Sequence, residues 1–290
     1  MFENVTAGWK LASAIRKIAL HDRKLLIYPI VSGLVMLLET VAILLPLFLF
    51  NAFNSVLFIV VLFAYYIVIY FTSVYVVMAM LLAFRGYESG KRISVVGALS
   101  LTAQYSVVIL EWAIFEAIVT MVIRDIEQRL GGLGGMLFGI AASMAVGTAS
   151  MFAIPVIIDK KYGPIKTLRT SAGFILQNFG KTFGGIMFVD LYSLLFVLAG
   201  VVLIASAVLG TSLSLILAAG LGIAGVLFLA YGAMLGYMLG NVYKFVLYGV
   251  ANGAKPPAGV SREMLYKAIK QKHGFTGGGG IMPGGFGGHT

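Results

Sequence analysis

Residues 213–250 form a run of 38 positions with one charged side chain, Lys244. As a continuous helix it would be about 57 Å long, well beyond the ~30 Å hydrocarbon core of a bilayer. Within lipid every backbone N–H and C=O must find a partner inside the protein, which leaves only helices and closed barrels. Five further apolar stretches, at 25–50, 56–84, about 106–123, 136–158 and about 184–208, are of spanning length. None alternates with the period of two that a transmembrane β-strand requires. The fold class is therefore all-α: a polytopic transmembrane helical bundle of six spans.

Composition agrees. The chain is 60% hydrophobic and 11% charged, against roughly 25% charged in soluble domains. It has no Cys, so disulfides, thiolate metal sites and thioester lipidation are excluded. Its three His (His21, His273, His289) are far apart in sequence, so neither a metal nor a cofactor is anticipated. Residues 1–24 carry Lys10, Arg16, Lys17, Arg23 and Lys24 spread through an amphipathic pattern, unlike a cleavable signal peptide.

The net charge of +10 is distributed around the spans. Five Lys/Arg lie in 1–24, three in 85–92, five between Lys160 and Lys181 and six from Lys244 onward; only Arg124 and Arg129 fall on the other side. This asymmetry puts both termini in the cytoplasm of a multi-pass cell-membrane protein. It points to anionic lipid as the partner, and away from nucleic acid.

Amphipathic segments interrupt the apolar runs. In 6–20, Leu11, Ile15 and Ile18 share one face and Lys10, Ser13 and Lys17 the other. Arg85 to Arg92 reads as a basic elbow with two glycines, and Ser94 as the N-cap of a short helix reaching Tyr105. Asp159–Lys161 forms a second elbow, and Pro164 opens a helix whose Ile165, Leu168, Ala172, Ile175, Leu176 and Phe179 make one apolar stripe. Pro46 is expected to bend or end the first span. The order of amphipathic segment, span, outer turn and return span recurs from Thr6, Ser94 and Gly163, a pseudo-threefold plan. Residues 1–252 are read as the six-span domain. Residues 253–290 are read as a basic, Gly-rich cytoplasmic tail, with a short helix at 261–272 and a low-complexity end.

The segment GWKLASAIRKIALHDRKLLIYPIVSG, and IEQRLGGLGG followed by FAIPVIIDKKYGPIKTLRTSAGFI, resemble an uncharacterised family of six-span prokaryotic integral membrane proteins. That family opens with Gly-Trp and a basic helix, and its fourth span exits through a Pro-containing run, a polar elbow and Gly-Pro. The layout is also similar to the membrane domain attached to some glycerophosphodiester phosphodiesterases. The resemblance covers most of 5–250. It implies the six-span fold with interfacial helices and transfers no catalytic residue, and the hydrophilic remainder has no room for a phosphodiesterase domain.

Four carboxylates fall within spans: Glu39, Glu111, Glu116 and Asp190. A charge at mid-bilayer costs at least ~2.5–3.5 kcal/mol, so each needs a partner, water or a proton. They suit either an ion path or hydrogen-bonded helix glue. Asp190 could also pair with Lys181 or Lys244. Lys160, Lys161, Lys166 and Arg169 are candidate lipid-headgroup contacts. Gly225, Gly232, Gly236 and Gly240 form a small-residue stripe that serves either a homo-oligomer face or packing on the chain's own helices. No Gly-x-Ser-x-Gly turn occurs and no His lies in a span, so the chain reads as no enzyme. The leading reading is a non-enzymatic protein that organises lipid or partner proteins at the cytoplasmic leaflet. The alternative is a transporter or channel subunit using the intramembrane carboxylates.

Overall fold

The computed structural model describes residues 2–50, 56–210 and 214–255, and no strand occurs among them. The expected outer turn at 51–54, the Gly210–Ser212 turn (beyond Gly210) and the tail helix at 261–272 lie outside the described residues. The helices are α1 (Phe2–His21), α2 (Ile27–Leu49), α3 (Val56–Glu88), α4 (Val95–Thr102), α5 (Ser106–Leu130), α6 (Gly132–Ala149), α7 (Ala153–Lys160), α8 (Pro164–Gly210) and α9 (Leu215–Ala251). Six helical stretches are long and apolar enough to cross a membrane, which makes this a multi-pass integral membrane protein.

Several boundaries differ from those read in the sequence. Pro29 lies in the first turn of α2, where its missing N–H breaks no bond. Pro46 lies in the last, and the helix ends three residues later. The 85–92 elbow is shorter than expected, because Arg85 to Glu88 complete α3. The turn itself is made by Gly90 (φ +76°), with the Lys91 N–H donating to the Gly86 carbonyl at 2.9 Å. Ser94 caps α4 as anticipated, its Oγ accepting from the Gly97 N–H at 3.0 Å. Residues 124–135, between the third and fourth apolar stretches, are mostly helical: α5 continues to Leu130, and only Gly131 (φ +60°) and Gly132 (φ +50°) reverse the chain. The fourth span is broken at 150–152 into α6 and α7. Pro155 has no N–H to bond back to Met151, and the Ser150 hydroxyl folds back on its own helix to donate to the Val146 carbonyl at 2.9 Å. The amphipathic segment and the fifth span are one helix, α8, with a kink at Asn178 (φ −119°, ψ 22°).

The chain divides near this kink into two compact units, one of residues 27–178 and one of 1–26 with 179–290. In the first, the inner end of α3 is the core: every residue from Val76 to Phe84 is buried, over more than two turns. Helices α4, α5 and α7 pack around it. In contrast, the lengths of α2 leave Leu37, Leu38, Phe48 and Leu49 exposed, as lipid-facing positions should be. In the second unit, α1 packs on α9 and on α8 after the kink. Trp9 meets the Phe188 ring edge-on at 5.0 Å, and Arg16 lies over the Phe188 and Tyr192 rings. A side chain at Gly8 would strike the Lys181 carbonyl and the Gly185 nitrogen, so glycine is needed at this crossing.

The three amphipathic helices bury the same kind of face. Two small residues four apart, then a larger one three further on, point inward: Gly8, Ala12 and Ile15; Ala98, Thr102 and Tyr105; Thr167, Ser171 and Phe174. In α4 and α8 this helix packs on the return span preceding it in the chain. Tyr75 of α3 donates to the Leu99 carbonyl at 2.8 Å, and the Phe152 N–H before α7 donates to Ser171 Oγ at 3.0 Å. Helix α1 packs instead on α9, the last of the described spans.

Candidate functional site

The basic elbow and the first half of α8 bring the four candidate headgroup cations together in one stretch of chain. Lys161 ends α7 in the left-handed region (φ +50°), its N–H bonded to the Ile157 carbonyl at 2.9 Å. Its Nζ lies 4.7 Å from the Tyr105 ring centroid, and Lys166 Nζ lies 3.8 Å from that of Tyr162. Each such contact is worth ~0.5–1 kcal/mol at an exposed site. Lys160 pairs with Asp159 at 3.4 Å, and Arg169 is exposed.

Local hydrogen bonds explain how α8 is oriented. Thr167 and Ser171 are completely buried. The Thr167 hydroxyl donates to the Tyr162 carbonyl at 2.9 Å, and Ser171 accepts from Phe152, which the helix break leaves without an intrahelical partner. The Phe152 and Phe174 rings pack at 4.6 Å. These bonds turn the hydroxyl face inward and leave the apolar stripe outside: Ile165 is 70% and Leu176 81% exposed. Of the stripe, only Ile175 is buried. Lys166 and Gln177 form a third, polar exposed face.

The four carboxylates do not share a site. Glu39 Oε1 accepts from Thr72 Oγ1 at 2.6 Å, while buried Oε2 has no hydrogen-bond partner among the described residues. Glu111 is exposed near the start of α5, beside Gly163 at the elbow. Glu116 is half-buried, near Ser150 at the helix break. Asp190 is exposed and interacts electrostatically with Lys244, without a direct ion pair. The Lys181 side chain is not its partner; the backbone carbonyl of Lys181 accepts from Tyr243 at 2.6 Å.

Three of the four stripe glycines face the fifth span. A Cβ at Gly225 would lie 2.8 Å from the Gly200 carbonyl oxygen, and one at Gly232 would lie 3.0 Å from that of Ser193. Gly236 abuts the Ser193 side chain, whereas Gly240 faces open space.

Sequence reasoning missed a groove of about 780 Å³ between α3, α5 and α6. Along α5 it is lined by Glu116, Thr120, Arg124 and Glu127, which recur at spacings of 4, 4 and 3. Ser143 and Gly147 of α6 and Tyr70 of α3 line the other walls. The Tyr70 and Thr120 hydroxyls are hydrogen-bonded at 2.7 Å, and Arg124 lies over the Tyr66 ring. The α5 periodicity is present in the sequence, but it runs across the end of the apolar stretch at about 123. No protein-family model, no curated protein and no solved structure matches this chain.

Proposed function

We propose that this protein is a non-enzymatic membrane component that gathers anionic lipid at the cytoplasmic leaflet through the elbow and the first half of α8. The observation that carries this reading is the three-sided α8. Its hydroxyl face is taken up by the protein, while an apolar edge and a cationic edge remain uncovered. A helix so placed can bury Ile165 and Leu176 among acyl chains and hold Lys166 and Arg169 at headgroup level. The positive-inside asymmetry supports a cytoplasmic side for this elbow and for both termini. The glycine stripe engages the protein's own fifth span, so an oligomer would need another face.

The transport alternative calls for one polar cavity joining Glu39 to Glu116. The groove that reaches Glu116 is not lined by Glu39, one of whose oxygens is held by Thr72. This separation favours the lipid reading.

The test replaces Lys160, Lys161, Lys166 and Arg169 together by Gln. Each cation near an anionic surface gains ~1 kcal/mol, so the variant should lose at least about tenfold of its co-purifying anionic lipid and keep its neutral lipid. An unchanged lipid complement by mass spectrometry refutes the proposal.

A further inference from the structure

The groove between α3, α5 and α6 is unused by the lipid reading. It runs along α5 from Gln128, close to the Gly131–Gly132 turn, to Glu116. Eleven residues of helix separate Glu127 from Glu116, about 16 Å. Hydroxyls from Tyr70, Thr120 and Ser143 lie between the two carboxylates. Beyond Glu116 the groove stops: Trp112 and Ala113, one turn back on α5, are buried, as is Phe152 after the helix break.

Two features of this inner end call for a polar occupant. A carboxylate at membrane depth is stable only with water, a proton or a counter-charge. Interrupted helices at that depth are tolerated where the backbone is buried in protein or lines a hydrated cavity. Here Glu116 lies near Ser150 at the α6–α7 break, and Gly147, one turn earlier, exposes backbone to the groove. Arg124, the groove's one cation, stands near the mouth over Tyr66, eight residues from Glu116. It leaves Glu116 as the ionisable group of the inner end. All the oxygen groups offered there, carboxylate and hydroxyl, are hard ligands that suit a small hard cation.

We infer that this groove is a hydrated, one-ended binding site for a small monovalent cation, seated at Glu116 and entered from the α5–α6 turn. It does not depend on the lipid reading, since it uses none of the elbow cations.

The chain has no Cys, so a single Gly147→Cys substitution reports on the inner groove without background. A Cβ at Gly147 meets nothing within 4 Å, so the side chain is accommodated. The full-length variant in nanodiscs is treated with cationic trimethylammonioethyl and anionic sulfonatoethyl methanethiosulfonate, with rates normalised to free mercaptoethanol. The cationic reagent should be favoured by about five- to tenfold, as a nearby unit negative charge in a partly shielded site dictates. Adding Glu116→Gln should abolish most of that preference, and potassium or sodium chloride should slow cationic labelling more than an equal concentration of N-methylglucamine chloride. Reaction with N-ethylmaleimide alone would show a lipid-filled groove and overturn the inference. So would a charge preference that survives Glu116→Gln, or equal protection by all three salts.

Discussion

The Tyr243 hydroxyl of α9 donates to the Lys181 carbonyl of α8 at 2.6 Å, and its ring occupies the space a side chain at Gly185 would need. Tyr243 is fully buried, so the ring cannot step aside into solvent or lipid. Gly185→Ala should therefore destabilise the fold by ~1–3 kcal/mol, as overpacking does. Tyr243→Phe should cost about 1 kcal/mol for the lost hydrogen bond. Thermal unfolding of the Gly185→Ala, Tyr243→Leu double variant checks the contact. It should fall short of the sum of the single effects, because the smaller side chain makes room for the added methyl.

The glycine stripe of α9 yields a graded expectation. Gly225→Ala and Gly232→Ala press a methyl against the backbone of α8 and should lower the unfolding midpoint. Gly240→Ala enters open space and should be neutral or stabilising by up to ~1 kcal/mol, the difference in helix propensity. The order should be independent of protein concentration. If all three act alike, α9 does not pack on α8 as described.

Glu39 and Thr72 form a pair whose removal is asymmetric. Thr72→Val leaves the Glu39 carboxyl without its only described donor and should cost ~1–3 kcal/mol. Glu39→Leu removes the demanding group altogether, and Thr72 can then bond back to its own helix, so this change should be milder. Combining Glu39→Leu with Thr72→Val should recover stability relative to Thr72→Val alone, measured by detergent-solubilised thermal denaturation.

Orientation is tested by single cysteines in this Cys-free chain. One at Gln128 should react with an impermeant maleimide added outside intact cells, whereas ones at Lys17 and Ser89 should react only after permeabilisation. Gln128, Lys17 and Ser89 are all exposed. External labelling at Ser89 would overturn the six-span topology with cytoplasmic elbows.

The residues themselves determined the membrane class, the number of apolar helices and most local punctuation. Long apolar runs leave the backbone no alternative in lipid, and caps such as Ser94 act within a few residues of themselves. The groove was not legible, because it needs Tyr70, Thr120 and Ser143 from three different helices to face one another. The break at 150–152 was signalled only by Pro155, and its consequence appears only where Ser171, nineteen residues on, receives the freed Phe152 N–H. Periodicity identified the stripe from Ile165 to Phe179 but could not decide which side of α8 the protein would cover. The hydroxyls of Thr167 and Ser171 decided that. A buried unpaired N–H costs more than an uncovered leucine at a lipid surface, so the polar face turned inward and the apolar one was left for the membrane.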